Sequence, residues 1–109
     1  MATNDVSVEL REEDRRYVLL LDGEQAGELV FRDRGGGVLA FLHTEIDPAR
    51  QQRGLGSVLV KGALDDARER GLKVAPICPF VEAFVHDHPE YADLAVEDPA
   101  RRPKTLRNA

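Results

Sequence analysis

The apolar residues of this chain change their spacing once, and that change fixes what the chain can fold into. Val6, Val8 and Leu10 alternate with polar neighbours, as on a half-buried strand. A polar turn at Glu12–Arg15 leads into the continuous apolar run Tyr17–Leu21, a second strand. Asp22-Gly23 tolerates positive φ at both positions and marks a two-residue hairpin. A third strand is expected from about Gln25 to Arg32, a turn at Arg34-Gly35-Gly36-Gly37, and a fourth strand from Val38 to about Ile46. Three short connections in succession specify an antiparallel meander. Beyond Gly54 the period becomes helical. Leu55, Val58, Leu59, Ala63 and Ala67, widened by Val60 and Leu64, form one stripe, and Gly71 is placed to follow the last turn. Leu72–Cys78 then reads as a short strand reached by a helical crossover, hence parallel to a neighbour in the same sheet. Pro79 suits the first turn of a second helix, Phe80 to about Asp87, and His88-Pro89-Glu90-Tyr91 starts a last helical turn.

One pattern of this kind in 109 residues is a single α/β domain of the α+β type, placed at residues 1–96. From Glu97 the chain reads as a polar tail, 97–109, with Arg101, Arg102, Lys104 and Arg107 as a solvated end. The longest apolar runs, Tyr17–Leu21 and Val38–Leu42, are far shorter than the roughly 20 residues a membrane helix needs, so no membrane role is expected. The first residues lack a basic-then-apolar profile, and Cys78 is the only cysteine, which suits a reducing cytoplasm. A net charge of −5 argues against a general nucleic-acid surface. A monomer or weak dimer is the expectation for the assembly.

Chemistry concentrates in Asp47-Pro48-Ala49-Arg50-Gln51-Gln52-Arg53-Gly54-Leu55-Gly56-Ser57, between a strand and the long helix. A helix start presents N–H groups with no partner inside the helix, and its dipole adds about half a positive charge there. An anion is the natural ligand. A Cβ at Gly54 or Gly56 is expected to hold a phosphate away from those amides. Pro48 to Leu64 carries Arg50, Arg53 and Lys61 and no acid, a reversal of sign in an acidic chain. The P-loop pattern is absent, and Gly54-Leu55-Gly56 lacks the third glycine of a dinucleotide fold.

What remains is Gln51-x-x-Gly54-x-Gly56 leading into a helix after a meander. It resembles the acetyl-CoA pyrophosphate signature of the GNAT superfamily of N-acetyltransferases. His43-Thr44-Glu45-Ile46 before it, and Cys78-Pro79-Phe80-Val81 and His88-Pro89-Glu90-Tyr91 after it, extend the resemblance to a minimal GNAT-like subfamily over about Glu24 to Leu94. The resemblance implies a mixed, mostly antiparallel five-stranded sheet with a crossover helix and a C-terminal helix. It also implies that the strands before and after the signature splay apart around the pantetheine arm of acetyl-CoA. Ile46 would then lie beside the arm, and Gln51, Gln52, Arg53, Gly54, Leu55, Gly56 and Ser57 around the pyrophosphate. Phe80 and Phe84 would cover the pantetheine side. The chain departs from the larger superfamily in two ways: a hairpin replaces the two acceptor-side helices, and no final pair of strands follows Leu94.

Cys78 directly precedes a helix start, where exposed N–H dipoles favour a thiolate able to accept an acetyl group and pass it to an amine. The other reading of Cys78 is a small buried hydrophobe. His43 and Glu45 share a strand face and are candidate bases for an ammonium acceptor, Glu45 slightly preferred, or else a polar pair that fixes the strand. Thr44 faces the other way, as packing. Tyr91 is a candidate acid for the departing CoA thiolate, with a packing role favoured. His86 and His88 lie about 200° apart around a helix with no third ligand, so no metal is expected. Three readings stand: transfer of acetyl from CoA to a primary amine of a small molecule or a protein lysine, a CoA-binding or regulatory module without turnover, or a small interaction protein whose glycine turn merely packs close.

Overall fold

The computed structural model describes residues 5–50 and 54–101. Five strands form one sheet in sequence order: β1 (Val6–Arg11), β2 (Arg16–Leu21), β3 (Glu24–Asp33), β4 (Val38–Ile46) and β5 (Lys73–Pro76). β1 to β4 pair antiparallel, and β5 lies parallel to β4 after the crossover helix α1 (Leu55–Glu69). A second helix, α2 (Pro79–Asp87), follows β5, and a short 3-10 helix spans Pro89–Leu94. The fold is the mixed, mostly antiparallel sheet with a crossover helix that the spacing predicts.

Local chemistry explains the joints. Asp22 and Gly23 have φ of 52° and 83°, the mirror-image turn whose twist matches a right-twisted hairpin. The Glu12–Asp14 turn is a one-turn 3-10 helix closed by Arg15 in the left-handed region. α1 ends where the Gly71 and Leu72 amides bond the Arg68 and Ala67 carbonyls at 3.1 and 2.9 Å.

Both helices cover one face of the sheet. Leu59, Val60, Ala63, Leu64 and Ala67 of α1 are fully buried against Tyr17, Leu19, Leu29, Phe31 and Phe41, and Val81 and Phe84 of α2 extend the same core. Val58 belongs to the helical stripe in sequence, yet 41% of it is exposed.

The segment after Leu94 is tied to the body. Ala95 bridges to Val74, and the Val96 amide donates to the Val74 carbonyl at 2.9 Å. The Asp98 carboxylate is buried and takes a two-pronged bond from Arg34 at 3.0 and 3.1 Å. A boundary at residue 96 therefore falls inside an anchored strap, because Arg34, in the β3–β4 turn, supplies its partner from across the sheet.

Candidate active site

The site is built where α1 begins. Gly54 is the residue before the helix, with φ of 86°, and as glycine it offers no side chain to cap it. The first turn carries no acidic residue. The Gly54 carbonyl accepts the Val58 amide at 3.0 Å, while the amides of Leu55, Gly56 and Ser57 precede the point at which intrahelical bonding starts. Leu55 is buried, whereas Gly54 and Ser57 are exposed. Solvent thus reaches a helix start that no side chain among the described residues has capped. Gln51, Gln52 and Arg53 lie outside the described residues.

The two glycines have reasons other than room for a phosphate. An added Cβ at Gly54 would meet nothing within 4 Å; its left-handed φ is what selects glycine. An added Cβ at Gly56 would sit 3.0 Å from Phe80 Cζ, so glycine there lets the Phe80 ring lie against the helix start. Phe80 is 43% exposed on the first turn of α2, and it brings the starts of the two helices together.

A fork opens beside them. β5 pairs with β4 only from Val38↔Lys73 to Phe41↔Pro76. The Ile77 and Cys78 amides then both donate to the Phe41 carbonyl, at 3.1 and 2.9 Å, and the chain turns into α2. β4 runs on to Ile46 without β5 alongside.

A bulge decides what faces this fork. Phe41 pairs with Phe31, but the next pairing is His43 with Val30, so Leu42 is an extra residue in β4. Without it, His43 and Glu45 would continue the inward face of Leu39 and Phe41. With it, Thr44 pairs opposite Leu29 and Ile46 opposite Gly27 on the helix side, while His43 and Glu45 point to the open face. Cys78 is 5% exposed, and its Sγ lies 3.4 Å from Thr44 Oγ1. Thr44 is therefore not inert packing: its hydroxyl meets the candidate nucleophile, a contact invisible without the bulge. Cys78 stands at the N-cap of α2, but its side chain makes no capping bond to that helix.

His43 Nε2 and Glu45 Oε1 are 3.6 Å apart and well exposed. Glu45 borders a shallow hollow of about 330 Å³ that also involves Glu28 and Asp47. The positive field expected around the cradle is smaller than composition implies. Arg50 is engaged by Glu24 and lies 4.0 Å from Asp47, and Lys61 is bonded to Asp65 at 3.0 Å.

Two aromatic candidates do not join the group. Tyr91 is buried and donates to Asp65 Oδ1 at 2.6 Å, some ten residues, or about 15 Å, along α1 from its start. Burial first, and Asp65 second, hold its phenol above the ordinary range. Phe84 is turned into the core, stacked on His88 with ring centroids 3.9 Å apart. His88 Nδ1 is 2.8 Å from the Phe84 carbonyl oxygen. Among the described residues, no group of three or more His, Cys, Asp or Glu could hold a metal ion, and no helix is long and apolar enough to cross a membrane.

A mixed sheet that forks beside a glycine turn at a helix start is the frame on which the site is built. Residues 16–94 match the GCN5-related N-acetyl-transferase family, and the chain belongs to it. Members of that family use acetyl-CoA. Protein NATD1 of Homo sapiens is 28% identical over 85 residues, covering 77% of this chain and 75% of that one. Protein NATD1 of Danio rerio is 29% identical over 96 residues, covering 82% of this chain and 87% of its own length. The solution structure of a GCN5-like protein from Staphylococcus aureus aligns with a TM-score of 0.63 at 19% identity, covering 84% of this chain and 88% of that chain, a likeness of fold.

Proposed function

We propose that the protein binds acetyl-CoA at the start of α1 and transfers the acetyl group to a primary amine by way of Cys78. The observation that carries this reading is the start of α1, acid-free in its first turn and uncapped among the described residues, next to the fork between β4 and β5. A diphosphate fits there because backbone donors and the helix dipole are offered to it with no protein carboxylate in competition. Gln51, Gln52 and Arg53 complete the cradle in this reading, with Leu55, Gly56 and Ser57 supplying amides. The edge of β4 from Leu42 to Ile46 would take the pantetheine arm, and Phe80 would lie over it.

Cys78 then accepts the acetyl group. Its sulfur forms a bond to the acetyl carbon, the bond from that carbon to the CoA sulfur breaks, and the CoA sulfur takes the proton that Cys78 gave up. The amine approaches from the open face. There Glu45, or His43 beside it, takes a proton from the ammonium so that the amine can attack the acetyl-cysteine. The carboxylates at the hollow of Glu28, Glu45 and Asp47 favour a cationic acceptor, whether a small molecule or a protein lysine.

Titration with acetyl-CoA tests the first half: ligand at 100 times its dissociation constant adds about 2.7 kcal/mol of stability. Absence of any stabilisation at saturating acetyl-CoA overturns the reading. Intact-protein mass spectrometry tests the second. An acetyl group on Cys78, absent in Cys78→Ser and lost on adding an amine, supports transfer. Binding without acetylation, with CoA released only at the buffer rate across an amine panel, assigns the chain to the non-catalytic CoA-binding or regulatory class instead.

A further inference from the structure

We infer that Thr44 is a positioning residue for the Cys78 sulfur: its hydroxyl holds the thiol and donates to the thiolate that attacks the thioester. The inference rests on the acetyl-cysteine route proposed above. Three observations converge on it. Cys78 is 5% exposed, so little water reaches its sulfur. Its side chain makes no capping bond to the start of α2, so no amide of that helix holds the sulfur directly. Thr44 Oγ1 lies 3.4 Å from Sγ, and the Leu42 bulge is what turns Thr44 to that side of β4.

The pair works in both protonation states. In the thiol either atom can donate to the other, whereas in the thiolate only the hydroxyl can. The direction of the bond therefore becomes fixed as Cys78 loses its proton, and the bond becomes charge-assisted at that moment. The main-chain bond from the Cys78 amide to the Phe41 carbonyl, 2.9 Å, fixes the sulfur's backbone on the same strand that carries Thr44. Thr44 thus has a geometric hold on the nucleophile without touching the thioester itself.

The test compares Thr44→Val, which keeps the shape and removes the hydroxyl, with Thr44→Ser, which keeps the hydroxyl. Two rates are read on each folded variant: acetylation of Cys78 by acetyl-CoA, and alkylation of Cys78 by iodoacetamide at fixed neutral pH. Thr44→Val is expected to slow both on the order of tenfold, the scale of one hydrogen bond to a charged group. Thr44→Ser restores both rates. Thr44→Ala, smaller rather than isosteric, should show the same loss and covers the case in which valine fails to fold. Wild-type rates in Thr44→Val, or a Thr44→Ser variant as slow as valine, overturn the inference. A wild-type protein whose Cys78 is never acetylated, yet whose alkylation follows the serine–valine pattern, overturns the covalent route and leaves the role of Thr44 standing.

Discussion

The two ends of α1 make opposite use of their polar groups. At its start there is a left-handed glycine, no acid in the first turn and, among the described residues, no side-chain cap. Toward its end nearly every polar side chain is bonded. Asp65 takes bonds from Tyr91 and Lys61, Asp66 from Tyr17, Arg68 holds Asp93 and the Glu90 carbonyl, and Arg70 meets Glu12 and Asp66. The second end fixes the helix to the sheet and to the Pro89–Leu94 turn. It can do so without cost to the first because about four turns of helix separate them. The lesson is a division of labour: stability is concentrated where polar groups find protein partners, and binding capacity is kept where they do not.

The largest expected effect breaks the start. Gly56→Asp puts a carboxylate beside the helix-start amides and should weaken CoA binding on the order of 100-fold by calorimetry. The exposed Phe80 ring can swing aside, so circular dichroism should stay native. Binding at wild-type strength would move the cradle elsewhere. Next comes the far end. Tyr17 is 1% exposed and its hydroxyl donates to Asp66 at 2.7 Å, so Tyr17→Phe should cost about 1–2 kcal/mol in urea denaturation and leave CoA affinity unchanged.

The same substitution has a pH signature. Burial first, and Asp66 second, raise the Tyr17 phenol far above its ordinary 10.0, and Tyr91 shifts the same way. The folded state therefore holds these protons more tightly than the unfolded one. Their contribution is complete below pH 10.0 and is lost as pH climbs toward the folded-state values. Urea midpoints measured on either side of that pH should fall in the wild type and fall less in Tyr17→Phe.

A smaller effect returns to the start: Gly54→Ala forces a Cβ into the left-handed region and should cost about 1 kcal/mol, read by urea denaturation. Smallest of all is Lys61→Ala. Its ammonium is paired with Asp65 and exposed, so the urea midpoint and CoA affinity should both stay put. A clear drop in CoA affinity would show that Lys61 leaves Asp65 for the ligand, and would blur the contrast between the two ends.

Much of the fold was legible because it rests on local signals. Asp22-Gly23 names its own turn, the apolar stripe names α1, and a helical crossover makes β5 parallel. The glycine motif at 54–56 was equally plain. What escaped depends on partners distant in sequence. Asp98 looks like tail until Arg34 meets it, and Arg50 looks like a phosphate ligand until Glu24 claims it. That Gly56 also makes room for the Phe80 ring shows only once α2 is packed against α1. Thr44 does face away from His43 and Glu45 as expected, but that its hydroxyl meets Cys78 depends on the extra residue at Leu42, which only cross-strand pairing reveals.

That extra residue also governs how the chain tolerates change in length. Deleting Leu42 would put the rest of β4 out of phase, sending Thr44 outward and His43 and Glu45 into the apolar interior. The composition of the strand would hardly alter, yet the two faces of this strand would trade places. A lone codon lost at this point does what several point substitutions could not, so its presence is a more telling mark of a working relative than percentage identity.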